Sequence, residues 1–182
     1  MNKKSIIIII CACFIVLAVV GVLAIKNSKK SSQIKFENSK EILKMFNSIY
    51  SNLKEELPSL QTAELDATDA LTVSAYTGLK SNENVESLVV SEPLMNAQAY
   101  SAVVVRVKDG ADIESMKKEM LDNIDMRKWI CVSADKLYIT STDNVIFMVM
   151  SSEDWAKPVY EEFKKYVNNN VDKELERTEV FG

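Results

Sequence analysis

A long apolar run near the start of the chain is the clearest pattern in the sequence. Residues 5–25 carry no charged side chain, and lysines flank them on both sides. These 21 residues, at about 1.5 Å each, would span the roughly 30 Å hydrocarbon core of a bilayer as a helix. The pattern predicts a single-pass transmembrane anchor at 5–25, with a cytoplasmic segment at 1–4 and a polar linker at 26–34.

Two other interpretations of this run stay open. Val22-Leu23-Ala24 would serve as the cleavage site of a secretory signal peptide, although the run exceeds the usual apolar length of such peptides. Cys13 would be the modified residue of a lipoprotein, but the apolar run continues for twelve residues beyond it. The flanking lysines do not decide orientation, and we adopt the arrangement with the following domain outside the cell.

Residues 35–167 show helical and strand periodicities and predict one compact domain of the α+β class. Apolar residues at helical spacing predict helices over 38–58, 69–78, 112–124 and 155–167. Apolar β-branched runs predict strands over 85–90, 100–108, 137–140 and 145–150. Strand, strand, helix occurs twice in this order, which predicts an antiparallel sheet of about four strands with helices packed on one side. Residues 168–182 predict a polar C-terminal tail.

Local signals place the ends of several elements. Asn38 and Glu41 form a capping box for the first helix, and Pro58 is expected to end it. Asp112 is expected to cap the third helix. Pro158 is expected to be tolerated only in the first turn of the last helix. The strand 145–150 is apolar on both faces, which indicates a central position in the sheet.

Composition and charge exclude several classes of function. The chain contains no histidine, so it has no Ser-His-Asp or Cys-His catalytic arrangement. Residues 1–30 carry five lysines and no acid, whereas the rest of the chain carries 17 basic and 26 acidic side chains. An acidic domain repels phosphate backbones, and we therefore expect no nucleic-acid partner. No phosphate-binding glycine loop or calcium loop can be built, and we expect no cofactor or metal.

Four residues are candidates for a binding or reactive site. Cys131 is the only cysteine outside the apolar run, and its apolar neighbours favour a buried structural role. A reactive thiol assisted by the nearby basic side chains is the alternative. Arg106 is the one charge within an apolar strand, so it either pairs with a carboxylate or lines a binding surface. Tyr76 and Trp129 are aromatic candidates for a ligand groove, with core packing as the alternative.

A succession of segments within residues 40–167 also suggests a family. The segments are Pro93-Leu94-Met95, 99–110, 127–132, Lys136-Leu137-Tyr138 and the apolar strand ending at Met150. This succession resembles the family named domain of unknown function 4358. The resemblance implies a small membrane-anchored or lipid-anchored extracytoplasmic protein of low-GC Gram-positive bacteria, and it implies no activity.

The sequence thus leaves two hypotheses for function. The first is a non-catalytic domain of the cell envelope that binds an envelope protein or assists an integral membrane enzyme. The second is an envelope enzyme that uses Cys131 or a pair of carboxylates, which requires these groups to converge in a concave site. A secreted form of either protein follows if the apolar run is a cleaved signal peptide.

Overall fold

The computed structural model describes residues 33–95 and 97–179, which belong to one compact unit. The segments 1–4 and 5–25, and with them the predicted transmembrane anchor, lie outside the described residues. Within the described part of the chain, no helix has the length and apolarity needed to cross a bilayer. In chain order, the elements are α1 (Ser39–Asn52), β1 (Leu60–Leu65), α2 (Ala70–Thr77), β2 (Val85–Pro93), β3 (Tyr100–Val107), α3 (Ile113–Asn123), β4 (Lys136–Thr142), β5 (Val145–Ser151), α4 (Glu153–Tyr166) and β6 (Leu175–Thr178).

The strands form a single antiparallel sheet with the order β1-β2-β3-β5-β4-β6. The prediction of about four strands is therefore wrong, because the sheet has six strands among the described residues. β1 and β6 are the added strands, and each forms one edge. β5 lies in the interior of the sheet between β3 and β4, and every one of its residues is buried.

Helices cover both faces of the sheet, so the predicted packing of helices on one side is also wrong. On one face, which we call the aromatic face, α1 and α4 pack over Phe147 and Tyr138. On the other, which we call the aliphatic face, α2, α3 and the connection 124–135 pack over Val103 and Met148. Successive strand residues point to opposite faces, so both faces of the inner strands are buried; β3 and β5 are largely apolar, whereas β4 also buries Thr140, Ser141 and Thr142.

Several local signals act as predicted. The Asn38 side chain accepts hydrogen bonds from the backbone N–H groups of Lys40 and Glu41 and caps α1. The Glu41 carboxylate accepts from the N–H of Glu37 rather than from that of Asn38, so the capping box is displaced by one residue. Asp112 caps α3 by accepting from the N–H of Ser115.

Two proline positions differ from the prediction. α1 ends at Asn52, well before Pro58, because Leu53 already adopts an extended backbone with ψ 143°. α4 starts at Glu153, so Pro158 lies in its second turn rather than its first. A proline there removes one intrahelical hydrogen bond but is accommodated in a helix that is otherwise strongly amphipathic.

The residues after α4 are held along β4 by polar contacts. Ser141 accepts through its carbonyl from the N–H of Asp172, and its hydroxyl donates to the Asp172 carboxylate. The Thr142 hydroxyl donates to the carbonyl of Asn170. Buried Lys117 of α3 donates to the carbonyl of Lys173 at 2.7 Å. These contacts place β6 within residues 168–182, where the pattern predicts only a polar tail.

The ends of α2 and α3 meet closely on the aliphatic face. Gly78 follows α2 with φ 76°, and a Cβ at this position would lie 2.5 Å from the backbone nitrogen of Ile124. Glycine is required here both for the left-handed backbone and for the close approach. Arg177 of β6 donates to the carbonyls of Leu121 and Ile124. A strand that is distant in sequence therefore caps the end of α3.

Candidate binding site

The side chain of Lys128 is enclosed by aromatic and acidic groups at one end of the aliphatic face. Its Nζ lies 2.5 Å from Glu92 Oε1 and 3.4 Å from Ser101 Oγ. It also lies 4.5 Å from the ring centroid of Tyr76 and 5.5 Å from that of Trp129. We call these five residues the Lys128 cage.

Four parts of the fold supply the cage. Glu92 lies near the end of β2 and Ser101 near the start of β3, so the antiparallel pairing of these strands places both at one end of the sheet. Tyr76 comes from the last turn of α2. Lys128 and Trp129 come from the connection between α3 and β4, which a backbone hydrogen bond from Ala134 to Met126 closes into a compact loop.

Burial and charge act on Lys128 in opposite directions. Desolvation lowers the pKa of Lys128, while the negative charge and hydrogen bond of Glu92 oppose this effect, and the net shift is downward. Burial and the nearby Glu92 raise the pKa of the Tyr76 hydroxyl. The side chains of Lys128 and Glu92 are only 18% and 22% exposed, so the pair is largely removed from solvent. An ion pair in such surroundings is weakly screened by salt.

Exposed apolar side chains follow two members of the cage in the chain. Leu94 and Met95 follow Glu92 in the chain, and Ile130 follows Trp129. They are 69%, 68% and 70% exposed, and Leu71 of α2, at 82%, is the other large apolar side chain with such exposure in the described part of the chain. We call Leu94, Met95 and Ile130 the apolar rim. Exposed apolar residues close to a buried polar group are typical of an interaction surface.

The cage is not arranged for nucleophilic catalysis. Ser101 is fully buried, and Lys128 donates a hydrogen bond to its hydroxyl rather than accepting its proton. Contact with Glu92 favours the ammonium form of Lys128 against the larger effect of burial, which lowers its pKa. The geometry instead matches the recognition of a cation, which combines aromatic ring faces with a carboxylate counter-charge.

The structure brings together two of the four residues predicted from the sequence. Tyr76 and Trp129 both contact Lys128. Arg106 lies toward the opposite end of β3, 3.5 Å from Glu86 and within hydrogen-bonding distance of Ser87, so it pairs with a carboxylate as one of the two alternatives predicts.

The fourth residue, Cys131, differs from the expectation of burial. Its side chain is exposed, and its backbone has φ 61°. The apolar neighbours in the sequence indicate a strand or core segment, but the chain turns at this residue and carries the thiol outward. The expectation that Cys131 is a buried small residue is therefore wrong.

Sequence reasoning missed Glu92, Ser101 and Lys128. Each of these residue types is usually solvated, and nothing in the local pattern sets Ser101 and Lys128 apart from the other serines and lysines. One signal was available, because Glu92 interrupts an apolar strand and would point toward the same face as Val90. Its partner lies 36 positions away in an irregular loop, which sequence spacing does not reveal.

Other surfaces of the domain are less specific. A groove of about 700 Å³ lies between the end of α1 and α4, and four of its charged side chains pair with each other, Lys157 with Glu153 and Lys165 with Glu162. No group of three or more potential metal ligands occurs among residues 33–95 and 97–179. The Lys128 cage is therefore the candidate site of the domain.

Comparison of the chain with protein-family models, with curated proteins and with solved structures finds no match.

Proposed function

We propose that this protein is a membrane-anchored, non-catalytic domain of the cell envelope that binds a protein partner through the apolar rim. The observation that carries the proposal is the exposure of Leu94, Met95 and Ile130, each within three residues in the chain of a largely buried ion-pair partner. Interfaces with protein partners commonly combine apolar and aromatic residues at their centre with charged groups nearby. The partner in this proposal is an envelope protein or an integral membrane enzyme.

The membrane location in this proposal rests on the apolar residues 5–25 and their flanking lysines. The similarity to the domain of unknown function 4358 family is part of the same proposal, because that family implies an anchored extracytoplasmic domain. Acidic residues outnumber basic ones in the rest of the chain, which disfavours nucleic acid as the partner.

Cys131 allows a direct test of the location. It is exposed, and the chain's two other cysteines lie within residues 5–25. A membrane-impermeant maleimide applied to intact cells should label the wild-type protein, while the Cys131→Ser variant should stay unlabelled. Labelling that occurs only after the cells are broken would place the domain inside the cell and overturn the envelope proposal.

Site-specific photo-crosslinking tests the binding surface. A photoreactive residue at Met95 or Ile130 should crosslink a discrete envelope protein in living cells. The matched control is Lys165, an exposed side chain on α4 that lies on the opposite helical layer. Crosslinking should be reduced by Leu94→Asp. Equal crosslinking from all three positions, or none from the rim, would contradict the proposal.

The alternative, an envelope enzyme, draws on the exposed thiol of Cys131. A catalytic thiol needs a neighbouring base or a lowered pKa. Turnover of an envelope polymer that is abolished by Cys131→Ser would favour this alternative over the binding domain.

A further inference from the structure

The Lys128 cage has the composition of a receptor for an ammonium group. Two aromatic rings present their faces to the Lys128 nitrogen, and a carboxylate supplies the counter-charge. We propose that the cage is a binding site for a primary ammonium group, which Lys128 occupies in the free protein and which a lysine of the partner takes over on binding. The identity of the incoming group as a partner's lysine rests on the proposed function.

The acidic member of the cage depends on the ammonium group it holds. Glu92 Oε1 is buried, and apart from the contact with Lys128 no other donor within residues 33–95 and 97–179 reaches it. A buried carboxylate oxygen without a positive partner is strongly unfavourable. The cage therefore requires a cation, but nothing in its geometry requires that this cation belong to the same chain.

The short contact selects primary ammonium over quaternary ammonium. The nitrogen of Lys128 lies 2.5 Å from Glu92 Oε1, and this distance requires an N–H group pointing at the oxygen. The methyl groups of a quaternary ammonium would hold the carboxylate farther from the nitrogen. Contact with Ser101 Oγ at 3.4 Å adds a second acceptor that only an N–H donor can use.

Exchange of one lysine for another conserves the charge of the cage. The incoming ammonium replaces the same contacts with Glu92, Tyr76 and Trp129, so the electrostatic part of the exchange is close to neutral. Its direction is then decided by the accompanying contacts. The apolar rim supplies these contacts, because a partner seated on Leu94, Met95 and Ile130 removes apolar surface from water.

Lys128 is positioned so that it can leave the cage. It belongs to the irregular connection between α3 and β4 rather than to a helix or strand. Its side chain is 18% exposed, so one side of it already faces solvent, while the neighbouring Trp129 stays held in the core of the aliphatic face. Because Lys128 competes for the cage, the apparent affinity for an external amine is the intrinsic affinity multiplied by the fraction of protein molecules in which the cage is free.

The experiment uses n-butylammonium, which reproduces the lysine side chain, and full-length protein purified in a nonionic detergent. Fluorescence of Trp129 reports binding in a Trp155→Phe background, since Trp129 and Trp155 are the chain's two tryptophans. The wild-type cage should bind butylammonium, and Lys128→Ala should bind it at least about tenfold more tightly. Glu92→Gln in the Lys128→Ala background should weaken binding at least about tenfold.

Two controls separate recognition from the filling of an empty cavity. Tetramethylammonium should bind Lys128→Ala at least about tenfold more weakly than butylammonium, because it lacks the N–H donors. Lys128→Met fills the cage with an apolar side chain and should abolish binding while the protein stays folded in thermal unfolding. If the wild-type protein shows no binding, or Glu92→Gln or tetramethylammonium shows no difference, the proposal is overturned.

The proposal of a protein partner and the proposal of an ammonium site are tested by different assays. Butylammonium binding together with rim crosslinks that butylammonium reduces would support a partner's lysine in the cage. Rim crosslinks without butylammonium binding would overturn the ammonium site and leave the proposed function standing. Butylammonium binding without rim crosslinks would overturn the proposed function and, with it, the partner's lysine, leaving a site for free amines.

Discussion

The two faces of the sheet are packed in different ways. The aromatic face joins Phe46, Phe147, Phe163, Tyr138 and Tyr160 in a chain of ring contacts, with Phe147 and Phe163 stacked at 4.1 Å. The aliphatic face is built mainly from valine, leucine, isoleucine and methionine, with Trp129 and Tyr76 as its aromatic members. Aromatic pairs have preferred geometries, whereas methionine adapts to irregular space. The first face therefore has a more narrowly defined packing than the second.

The elements that cover the two faces also differ in length and regularity. Two helices of 14 residues each cover the aromatic face. Helices of 8 and 11 residues cover the aliphatic face, and the loop 124–135 fills the remaining space. That loop brings Lys128 into the cage. The comparison indicates that the aromatic face is the scaffold and that the more adaptable face carries the candidate site.

The largest effect is expected from the aromatic face. Phe147→Ala should lower the free energy of unfolding by about 3–5 kcal/mol, because it opens a cavity at the centre of the ring cluster. Urea unfolding followed by circular dichroism measures this change.

Leucine substitutions at two adjacent positions of β5 test the difference in packing between the two faces directly. Met148→Leu on the aliphatic face should cost less than about 1.5 kcal/mol. Phe147→Leu should cost more, because it removes ring contacts worth about 0.5–1.5 kcal/mol per pair. Equal costs at the two positions would contradict the proposed difference between the faces.

Gly78→Ala should lower the free energy of unfolding by about 2–4 kcal/mol, from the combination of a left-handed backbone and overpacking. The new Cβ would meet the backbone of Ile124, which cannot move without disturbing the end of α3. Gly110→Ala is the matched control, because Gly110 has a similar φ of 83° but open space around the added Cβ. Thermal unfolding of both variants separates strain from steric overlap.

Lys128→Met should lower the free energy of unfolding by about 1–3 kcal/mol, because Glu92 Oε1 is then buried without its positive partner. The double variant Glu92→Leu with Lys128→Met should recover much of this loss, since both charges are removed together. Urea unfolding of the double-mutant cycle measures the coupling. A double variant that loses the sum of the two single effects would show that the ion pair is not coupled.

The smallest effect concerns the polar groups of the aromatic face at alkaline pH. Burial raises the pKa of Tyr50 to about 12, compared with about 10 in an unfolded chain. The folded state thus holds this proton more tightly. The contribution of Tyr50 to stability is complete below pH of about 10, and it is lost as pH rises from there toward 12, by about 1.4 kcal/mol per pH unit.

Tyr50→Phe should therefore make the alkaline loss of stability less steep. Urea unfolding at several pH values between about 9 and 11 gives the slope of the free energy of unfolding against pH. The comparison variant is Tyr166→Phe, which deletes another hydroxyl on the same face. An unchanged slope in Tyr50→Phe would show that the Tyr50 hydroxyl does not contribute in this range.

The sequence predicts the inner part of the fold better than its edges. Apolar residues recur at helical spacing in α1, α3 and α4, because one face of each helix packs on the sheet. The four inner strands are rich in apolar residues, because helices cover both faces of the sheet. β1 and β6 are short edge strands with mixed polar residues, and β6 reads Leu-Glu-Arg-Thr. An edge strand buries little, so its sequence carries little of the strand pattern.

Part of the candidate site could also be predicted from the sequence. Tyr76 and Trp129 stand out as aromatic residues. Lys128 and Glu92 do not, because their pairing depends on a loop whose path is set by packing rather than by local propensity. The exposure of Cys131 follows from the positive φ of a residue other than glycine, which no neighbouring residue specifies.

The hydrogen bonds of Arg177 have a consequence for how the domain is made. Arg177 caps α3 from a position 53 residues after Ile124, and Lys117 reaches the carbonyl of Lys173 across a similar separation. Contacts between such distant residues form late, because a long loop must close first. The end of α3 and the ammonium group of Lys117 therefore obtain these partners only when β6 and the residues before it have joined the edge of β4.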